Sequence, residues 1–248
     1  MEISPGSANN STSHLKYISM KKYTVYGEEF YPKFSFPIKG KFKQKDLLKI
    51  DLSESNPDLP PDKSLESLHN FVFGATEKAN AKGAYGGYSE KRNLYERSSV
   101  FSSAANFRNI HLGIDFWFPA GTAICAPLPG RVHSFQDNDS QGDYGPTIIL
   151  EHVLGNDKFH SLYGHLSRES IKDKKVGQMI LRGEVFAYLG SPEENVNWPP
   201  HLHFQLINDL EGRAGDYPGV CFETEKKKYL KNCPNPVAVF GGFKGIIK

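Results

Sequence analysis

The stretch His201-Leu202-His203-Phe204-Gln205-Leu206 has a counterpart earlier in the chain, His111-Leu112-Gly113-Ile114-Asp115. In a β-strand alternate side chains share a face, so the two histidines of the first stretch point to one side and its apolar residues point to the other. The histidine and the aspartate of the second stretch are also an even number of residues apart, with only a glycine between them. Together the stretches predict two strands that each present imidazole or carboxylate groups on one face.

Two imidazoles and a carboxylate on two strands are typical of a catalytic zinc site. Such a site holds zinc with three protein ligands and leaves a fourth position for water. Zinc lowers the pKa of that water to about 7 and polarises a carbonyl, so a hydroxide can attack an amide bond at neutral pH. The pattern therefore predicts a metallohydrolase.

The composition excludes several other classes. The chain has 248 residues and a formal net charge of +2, and its only basic run, Lys226-Lys227-Lys228, is typical of a solvated helix face, so no nucleic-acid partner is expected. No apolar stretch reaches the about 18 residues of a transmembrane helix. Residues 1–12 are polar and lack the apolar core of a secretory signal. We expect a cytoplasmic location, or an exported one if a signal has been removed. The oligomeric state stays open.

The three cysteines have no metal-type spacing. Cys125 lies in an apolar strand pattern, where a small buried thiol is usual. Cys221 and Cys233 could pair in an oxidising compartment. The missing signal favours free thiols, and the pairing stays open.

The chain divides into four predicted segments. Residues 1–20 are rich in Ser and Asn and predict a disordered leader. Residues 21–104 predict a smaller α+β accessory region, residues 105–210 the catalytic domain, and residues 211–248 an extension that packs on that domain. Within the accessory region, a short helix begins after Asp62 or Ser64.

Residues 83–88 of the accessory region are rich in Gly and Tyr. Glycine punctuates regular structure, so this stretch is interpreted as a turn that leads into the catalytic domain.

The segment 105–210 is almost wholly β in pattern. Short apolar runs alternate there with Gly, Pro, Asn and Asp turns, and no pattern of helix length interrupts them. The predicted strands are 124–127, 130–132, 147–150, 162–163, 185–189 and 202–207. The fold class is therefore mostly β, with a closed or sandwiched antiparallel sheet.

Three motifs resemble those of the lysostaphin/LytM-type zinc endopeptidases, in the same order. They are His111-x-x-x-Asp115, Leu162-Tyr163-Gly164-His165-Leu166 and His201-Leu202-His203, with family-like flanks at 119–122, 126–132 and 176–184. The resemblance covers about residues 108–210, and the three motifs together are much more specific than any one of them.

The resemblance implies one zinc ion per chain, held by His111, Asp115 and His203. It implies that His165 and His201 are catalytic residues beside the metal that do not bind it. The implied fold is an antiparallel β-sandwich or barrel-sandwich hybrid with a duplicated hybrid motif and a groove across the metal. The implied reaction is hydrolysis of a peptide amide, in peptidoglycan or in peptides that contain glycine or D-amino acids.

Strand parity extends the assignment to neighbouring residues. Tyr163 precedes His165 by two residues and would share its face, so it is a candidate to orient substrate, although a packed aromatic is an equally good interpretation. His133, His152 and His160 are interpreted as structural. The parity of His160 is opposite to that of His165, which predicts that it turns away from the metal.

A closer resemblance is to the peptidase-like module fused to class-III aminotransferases and small-molecule kinases. It rests on residues 143–146, 164–170, 192–195, 198–201, 215–220 and 233–236. Because the partners in those fusions handle small metabolites, a cytosolic hydrolase of a small-metabolite amide stays open as an alternative. A non-catalytic zinc-binding module is a second alternative, from a different functional class. An open channel past the metal favours a peptide, and a closed pocket favours a metabolite. The resting fourth zinc ligand and any inhibition by the accessory region also stay open.

Overall fold

The computed structural model of the protein describes residues 23–25, 28–30, 34–94, 102–103, 106–140 and 142–240. The predicted leader, residues 1–20, lies outside these ranges. Within them, every helix is too short or too polar to cross a membrane.

The strands are short and are numbered here in chain order. They are β1 (Tyr23–Val25), β2 (Glu28–Phe30), β3 (Leu47–Lys49), β4 (Gly83–Gly86), β5 (Ser102–Ser103), β6 (Asn106–Phe107), β7 (Ile110–His111), β8 (Ile114–Trp117), β9 (Ala123–Cys125), β10 (Gly130–Asn138), β11 (Gly145–Leu154), β12 (Asp157–Gly164), β13 (Met179–Ile180), β14 (Val185–Tyr188), β15 (His201–Ile207) and β16 (Val220–Cys221).

The helices lie mostly outside the strand-rich part. They are α1 (Leu65–His69), α2 (Ala75–Lys78), α3 (Glu169–Lys172) and α4 (Lys226–Asn232), with a π-helical turn at Asn70–Gly74 that joins α1 to α2 and 3-10 turns at Gln44–Asp46, Glu223–Glu225 and Pro236–Val239. The predicted N-cap is confirmed at Ser64, whose hydroxyl accepts a hydrogen bond from the Ser67 N–H at 3.1 Å.

Eight of the strands form one sheet in the order β13-β10-β11-β12-β15-β8-β4-β3. Neighbouring strands in it are antiparallel, except that β3 and β4 run parallel. Two smaller pairs, β9 with β14 and β7 with β16, lie beside it. Across the described ranges no sheet closes into a barrel. The prediction of a mostly β fold built from antiparallel sheets is confirmed.

Residues 83–86 form a strand, so the interpretation of this stretch as a turn is wrong. β4 pairs with β8 and brings Gly86 opposite Asp115. A Cβ added at Gly86 would collide with the carbonyl oxygen of Ile50, so the missing side chain is what lets this strand enter the sheet. Part of the predicted accessory region thus shares a sheet with the predicted catalytic domain. The boundary between residues 104 and 105 stays a prediction.

The two faces of β15 lie in different environments. Leu202, Phe204 and Leu206 are buried in the main apolar cluster, which confirms the predicted apolar back of this strand. Ile207 lies in a second cluster on the other face, where Cys221 and Cys233 also pack. Cys125, Cys221 and Cys233 are buried free thiols.

A third apolar cluster joins the accessory region to the end of β8. It contains Leu52, Leu68, Val72 and Leu94, and all four are buried together with Trp117. Since Trp117 is two residues after Asp115, this cluster lies beside the candidate metal ligands described next.

Candidate metal centre

Strand pairing brings the predicted metal ligands together. His203 on β15 lies directly opposite Asp115 on β8, and His111 lies on β7, four residues before Asp115. Gly113 lies between the two chain segments, where an added Cβ would be 2.6 Å from the Cε1 and Nε2 atoms of His203. Glycine at this position therefore makes room for the His203 imidazole.

Three ligand atoms meet in a nearly dry position. His111 Nε2 lies 2.9 Å from His203 Nδ1, and Asp115 Oδ1 lies 3.4 Å from each of these nitrogens. Donor atoms around a tetrahedral zinc ion are about 3.3–3.6 Å apart, as bond lengths of about 2.0–2.2 Å require. The two distances from Asp115 Oδ1 match this spacing, and the distance between the two imidazole nitrogens is shorter. In the described ranges this is the only group of three or more His, Cys, Asp or Glu side chains whose ligand atoms all lie within 4.8 Å of one another. Asp115 Oδ1 is buried and accepts no hydrogen bond. The residues therefore fit a zinc ion.

Outer hydrogen bonds fix which imidazole nitrogen can bind a metal. His111 Nδ1 lies 2.9 Å from the Gly87 carbonyl oxygen, which can only accept, so this nitrogen carries the proton and Nε2 keeps its lone pair. His203 Nε2 lies 2.9 Å from Gln205 Oε1, which leaves His203 Nδ1 as the ligand atom. The Gln205 amide nitrogen donates to the Pro218 carbonyl at 3.1 Å and so holds its oxygen toward His203.

The protonation states suit metal binding. Burial, followed by the positive charge of Arg92, lowers the pKa of His111 to about 4. Burial alone would raise the pKa of Asp115, but its interactions with His111 and with the permanently charged Arg92 hold that pKa well below its ordinary value. At neutral pH the centre therefore presents a neutral imidazole and an ionised carboxylate, the forms that bind a metal.

His165 and His201 lie side by side at the edge of the cluster. Their ring centroids are 4.1 Å apart, and His201 Nε2 is 3.8 Å from Asp115 Oδ1. His201 Nδ1 donates to the Pro199 carbonyl oxygen at 2.7 Å, so its Nε2 is free to accept a proton. Burial, the largest influence on each, lowers the pKa of both histidines. Both are therefore neutral at neutral pH and available to accept a proton.

His165 has a left-handed backbone with φ of 62°, which is uncommon for a residue other than glycine. Its N–H donates to the Tyr144 carbonyl at 2.8 Å, and its own carbonyl accepts from the Gly190 N–H at 3.0 Å. These two bonds hold a conformation that takes the His165 side chain out of the alternation of β12. Backbone strain held in this way is common at functional sites.

This conformation overturns two predictions that rested on strand parity. Tyr163 does not share a face with His165: it is fully buried in the main cluster, against Phe186 and Phe204, and does not line the cavity beside the metal centre. The expected shared face is therefore wrong, and the burial of Tyr163 fits its interpretation as a packed aromatic; its assignment to substrate binding stays a prediction. His160 points to the same face as His203, since it pairs with Ile207 on β15.

His160 nevertheless lies far along the strand from the centre. Three residues of β12 lie between it and Gly164, which is the residue paired with His203. Its ring contacts that of His133 at a centroid distance of 5.3 Å. The structure keeps both histidines outside the group of ligand atoms.

The centre opens into a cavity of about 210 Å³. Leu52, Leu68, Val72 and Leu94 of the accessory region contribute one apolar part of its lining. Sequence reasoning missed Tyr144, a cavity residue whose hydroxyl lies 3.5 Å from His203 Nε2. Parity pointed to Tyr163, and the resemblance that includes residues 143–146 assigned no role to Tyr144.

A pair of tyrosine variants tests whether Tyr144 or Tyr163 contributes to turnover. Tyr163→Phe removes only the hydrogen bond from the Ser161 hydroxyl at 3.0 Å, so we expect unchanged turnover and a loss of about 1 kcal/mol in the free energy of unfolding. Tyr144→Phe removes a hydroxyl beside a metal ligand, and we expect roughly tenfold lower turnover. Steady-state kinetics and urea denaturation measure the two effects. Equal turnover in both variants would contradict the assignment.

A second prediction concerns two carboxylates in the cavity lining, Asp143 and Asp216. Burial, followed by the charge of Asp216, raises the pKa of Asp143 to about 6. The folded state thus prefers the protonated form, and this contribution to stability is lost as pH rises from about 4 to about 6. The quantity to compare is the Tm of Asp143→Asn minus the Tm of the unaltered protein. We expect this difference to be several degrees more positive at about pH 7 than at about pH 4. A Tm difference that is independent of pH would contradict this.

A comparison with family models matches residues 109–216 to Peptidase family M23. The matched residues include His111, Asp115, His165, His201 and His203. Among curated proteins, lysostaphin of Staphylococcus staphylolyticus is 31% identical over 111 residues, which are 44% of this chain and 21% of lysostaphin. The chain therefore spans about a fifth of the length of this relative.

The chain is also similar to parts of solved peptidase structures. A putative peptidase M23 from Pseudomonas aeruginosa is 28% identical, with a TM-score of 0.36, over 54% of this chain and 45% of that one. The catalytic domain of lysostaphin from Staphylococcus simulans is 24% identical, with a TM-score of 0.34, over 48% of this chain and 80% of that domain. A zinc-containing peptidase from Vibrio cholerae is 28% identical, with a TM-score of 0.32, over 42% of this chain and 29% of that one.

Proposed function

Residues 109–216 are a Peptidase family M23 domain of the lysostaphin/LytM type, and from this premise we propose that the protein is a zinc-dependent peptidase. It hydrolyses a peptide amide bond, in peptidoglycan or in a peptide that contains glycine or D-amino acids. The observation that carries the proposal is the meeting of His111 Nε2, Asp115 Oδ1 and His203 Nδ1 at the edge of a cavity.

A bound zinc ion would supply a water of lowered pKa and would polarise the substrate carbonyl. The chain's own residues supply the rest of the chemistry. His111, Asp115 and His203 would hold the ion, and the Gly87 and Gln205 oxygens keep the two imidazoles in the required tautomers.

His165 and His201 manage protons and charge. Both are neutral before reaction, and the free Nε2 of His201 faces the carboxylate of Asp115. Either imidazole can accept a proton from the attacking water and later deliver it to the leaving amine. Once protonated, an imidazole donates hydrogen bonds to the negative charge that develops on the carbonyl oxygen. Burial of both rings makes these interactions stronger than they would be in water.

A second candidate is hydrolysis of a small-metabolite amide. The observation that favours it is the cavity wall: Leu68 and Val72 from the helical part of the accessory region line the same cavity as the candidate metal ligands. A wall in this position leaves less room for a long peptide to pass the metal than an open groove does.

The test is metal content followed by hydrolysis on the same samples. The purified chain is assayed as isolated, after removal of metal by a chelator, and after addition of zinc, against peptidoglycan, glycine-rich peptides and small amides. About one zinc per chain, with peptide cleavage that is lost and restored with the metal, supports the peptidase. Cleavage of small amides alone supports the second candidate. Zinc without any hydrolysis supports a binding module, and no zinc overturns the proposal.

A further inference from the structure

We propose that Arg92 is a positioning residue of the metal centre, which decides which oxygen of Asp115 is offered to the ion; the inference rests on the proposed zinc site. The two oxygens of this carboxylate have different neighbours. Oδ1 faces the two imidazole nitrogens at 3.4 Å, whereas Oδ2 accepts a hydrogen bond from Arg92 Nη1 at 2.7 Å. The bond to Arg92 engages Oδ2 and leaves Oδ1 as the atom directed to the metal position.

Arg92 is held from its other side by a second carboxylate. Its Nε donates to Glu90 Oε2 at 2.6 Å, and Glu90 Oε1 accepts from the Leu52 N–H at 3.2 Å. The Arg92 side chain is only 4% exposed. A buried guanidinium bound on two edges has little freedom to move, so the position of Asp115 Oδ2 is fixed as well.

The backbone around Arg92 is tied to the strand that carries a metal ligand. The Arg92 N–H donates to the Asn109 carbonyl at 2.8 Å, and the His111 N–H donates to the Glu90 carbonyl at 2.9 Å. Residues 90–92 therefore lie antiparallel to β7 and are hydrogen-bonded to its backbone. A single short segment fixes both the main chain of His111 and the carboxylate of Asp115.

Arginine is the residue that can make this connection. Its planar fork presents N–H donors to two carboxylates at once and stays charged at all relevant pH values. Lysine offers a point charge without the fork. Without Arg92, Oδ2 of Asp115 would lose the hydrogen bond that engages it, and the carboxylate would be free to rotate its second oxygen toward the metal position.

Two opposing effects decide whether removal of Arg92 strengthens or weakens zinc binding. Removing the arginine cation relieves its repulsion of a divalent ion, which favours binding. It also releases the orientation of a ligand, and Glu90 already offsets much of the repulsion because it lies against the same guanidinium. Loss of an outer hydrogen-bond partner typically weakens metal binding 10- to 100-fold. We therefore expect orientation to dominate.

The segment that supplies these bonds lies outside residues 109–216, the part matched by the family model. Gly87 holds His111 and Arg92 holds Asp115, whereas His203 is held by Gln205 from within the matched part. Two of the three ligands thus depend on residues 87–92. The metal centre of this chain extends beyond the family domain.

The experiment uses the full chain and two arginine variants, Arg92→Met and Arg92→Lys. Zinc affinity is measured by competition with a chromogenic chelator, and the coordination of cobalt in place of zinc is followed by visible absorption, which reports the number and geometry of ligands. We expect roughly 10- to 100-fold weaker zinc binding in Arg92→Met, with altered cobalt absorption, and a smaller loss in Arg92→Lys. Arg168→Met is the control, because Arg168 Nε also bonds a carboxylate, Asp137 Oδ2 at 3.1 Å, on the protein surface.

A purely structural role of Arg92 predicts a different result. Arg92→Met would then unfold at lower temperature with and without metal, but zinc affinity and the cobalt spectrum would equal those of Arg168→Met, and the proposal would be overturned. If Arg92→Met does not fold, unchanged zinc affinity and an unchanged cobalt spectrum in Arg92→Lys would overturn it equally. Failure to bind zinc in the unaltered protein removes both this inference and the proposed function. Weakened zinc binding in a protein without hydrolytic activity upholds the inference alone.

Discussion

Asp115→Ala is expected to abolish zinc binding and hydrolysis together. Asp115 supplies the only anionic ligand atom of the cluster, and its Oδ1 lies 3.4 Å from both imidazole ligand atoms. Two imidazoles alone form an incomplete site, because catalytic zinc sites use three protein ligands. Metal analysis after dialysis should give about one zinc in the unaltered chain and none in the variant, with turnover at background.

The same substitution also affects folding. It leaves the buried guanidinium of Arg92 with one carboxylate fewer, and breaking a buried ion pair from one side typically costs about 3–5 kcal/mol. His203→Ala separates loss of metal from loss of stability, because His203 makes no ion pair with Arg92. This variant should lose zinc and activity but should be more stable to unfolding than Asp115→Ala. His133→Ala is the matched control, since His133 lies away from the ligand atoms. This variant should keep both zinc and activity. Full zinc content in His203→Ala would contradict the ligand set.

The face that carries the candidate metal ligands was predictable because it follows the strongest regularity of the sequence, whereas the choice of His111, Asp115 and His203 came from the motif resemblance. His201 and His203 alternate with apolar residues that fill the main core, and period-2 alternation needs no knowledge of the rest of the fold. Pairing of β15 with β8 then follows from the need to bury both apolar backs. The positions of the motifs in the sequence were therefore enough to predict that their side chains lie close together in the fold.

The parity argument failed where the backbone leaves the strand. His165 has positive φ, and its conformation is held by hydrogen bonds to Tyr144 and Gly190, residues 21 and 25 positions away. No local pattern reports such a conformation in a histidine. As a result, parity wrongly placed Tyr163 on the same face as His165 and wrongly turned His160 away from the face of His203.

Arg92 and β4 were missed for a related reason. β4 shows no alternation of apolar and polar side chains, because two of its four residues are Gly83 and Gly86. Neighbouring atoms come so close to both glycines that a Cβ would collide with them. The bond from Arg92 to Asp115 joins residues 23 positions apart, in a stretch without a motif. Contacts that depend on the completed sheet cannot be predicted from the spacing of residue types.

His165→Ala is expected to keep about one zinc per chain and to reduce turnover roughly 100-fold or more, the range of a lost proton-transfer or charge-stabilising group. His165 supplies none of the three clustered ligand atoms, yet its ring centroid lies 4.1 Å from that of His201. Since Ala is less suited than Asn to a left-handed backbone, His165→Asn is made in parallel. Similar losses of turnover in both variants would assign the effect to the imidazole.

The control for His165 is His160→Ala, a buried histidine on the same face of the sheet but remote from the ligand atoms, for which turnover should be unchanged. Metal content is the deciding measurement, because a group that only moves protons leaves the affinity for zinc intact, whereas a ligand does not. Loss of zinc in both His165 variants would make His165 part of the ligand set. In that case the position assigned to the attacking water would be taken by an imidazole, and His201 alone would remain to accept its proton.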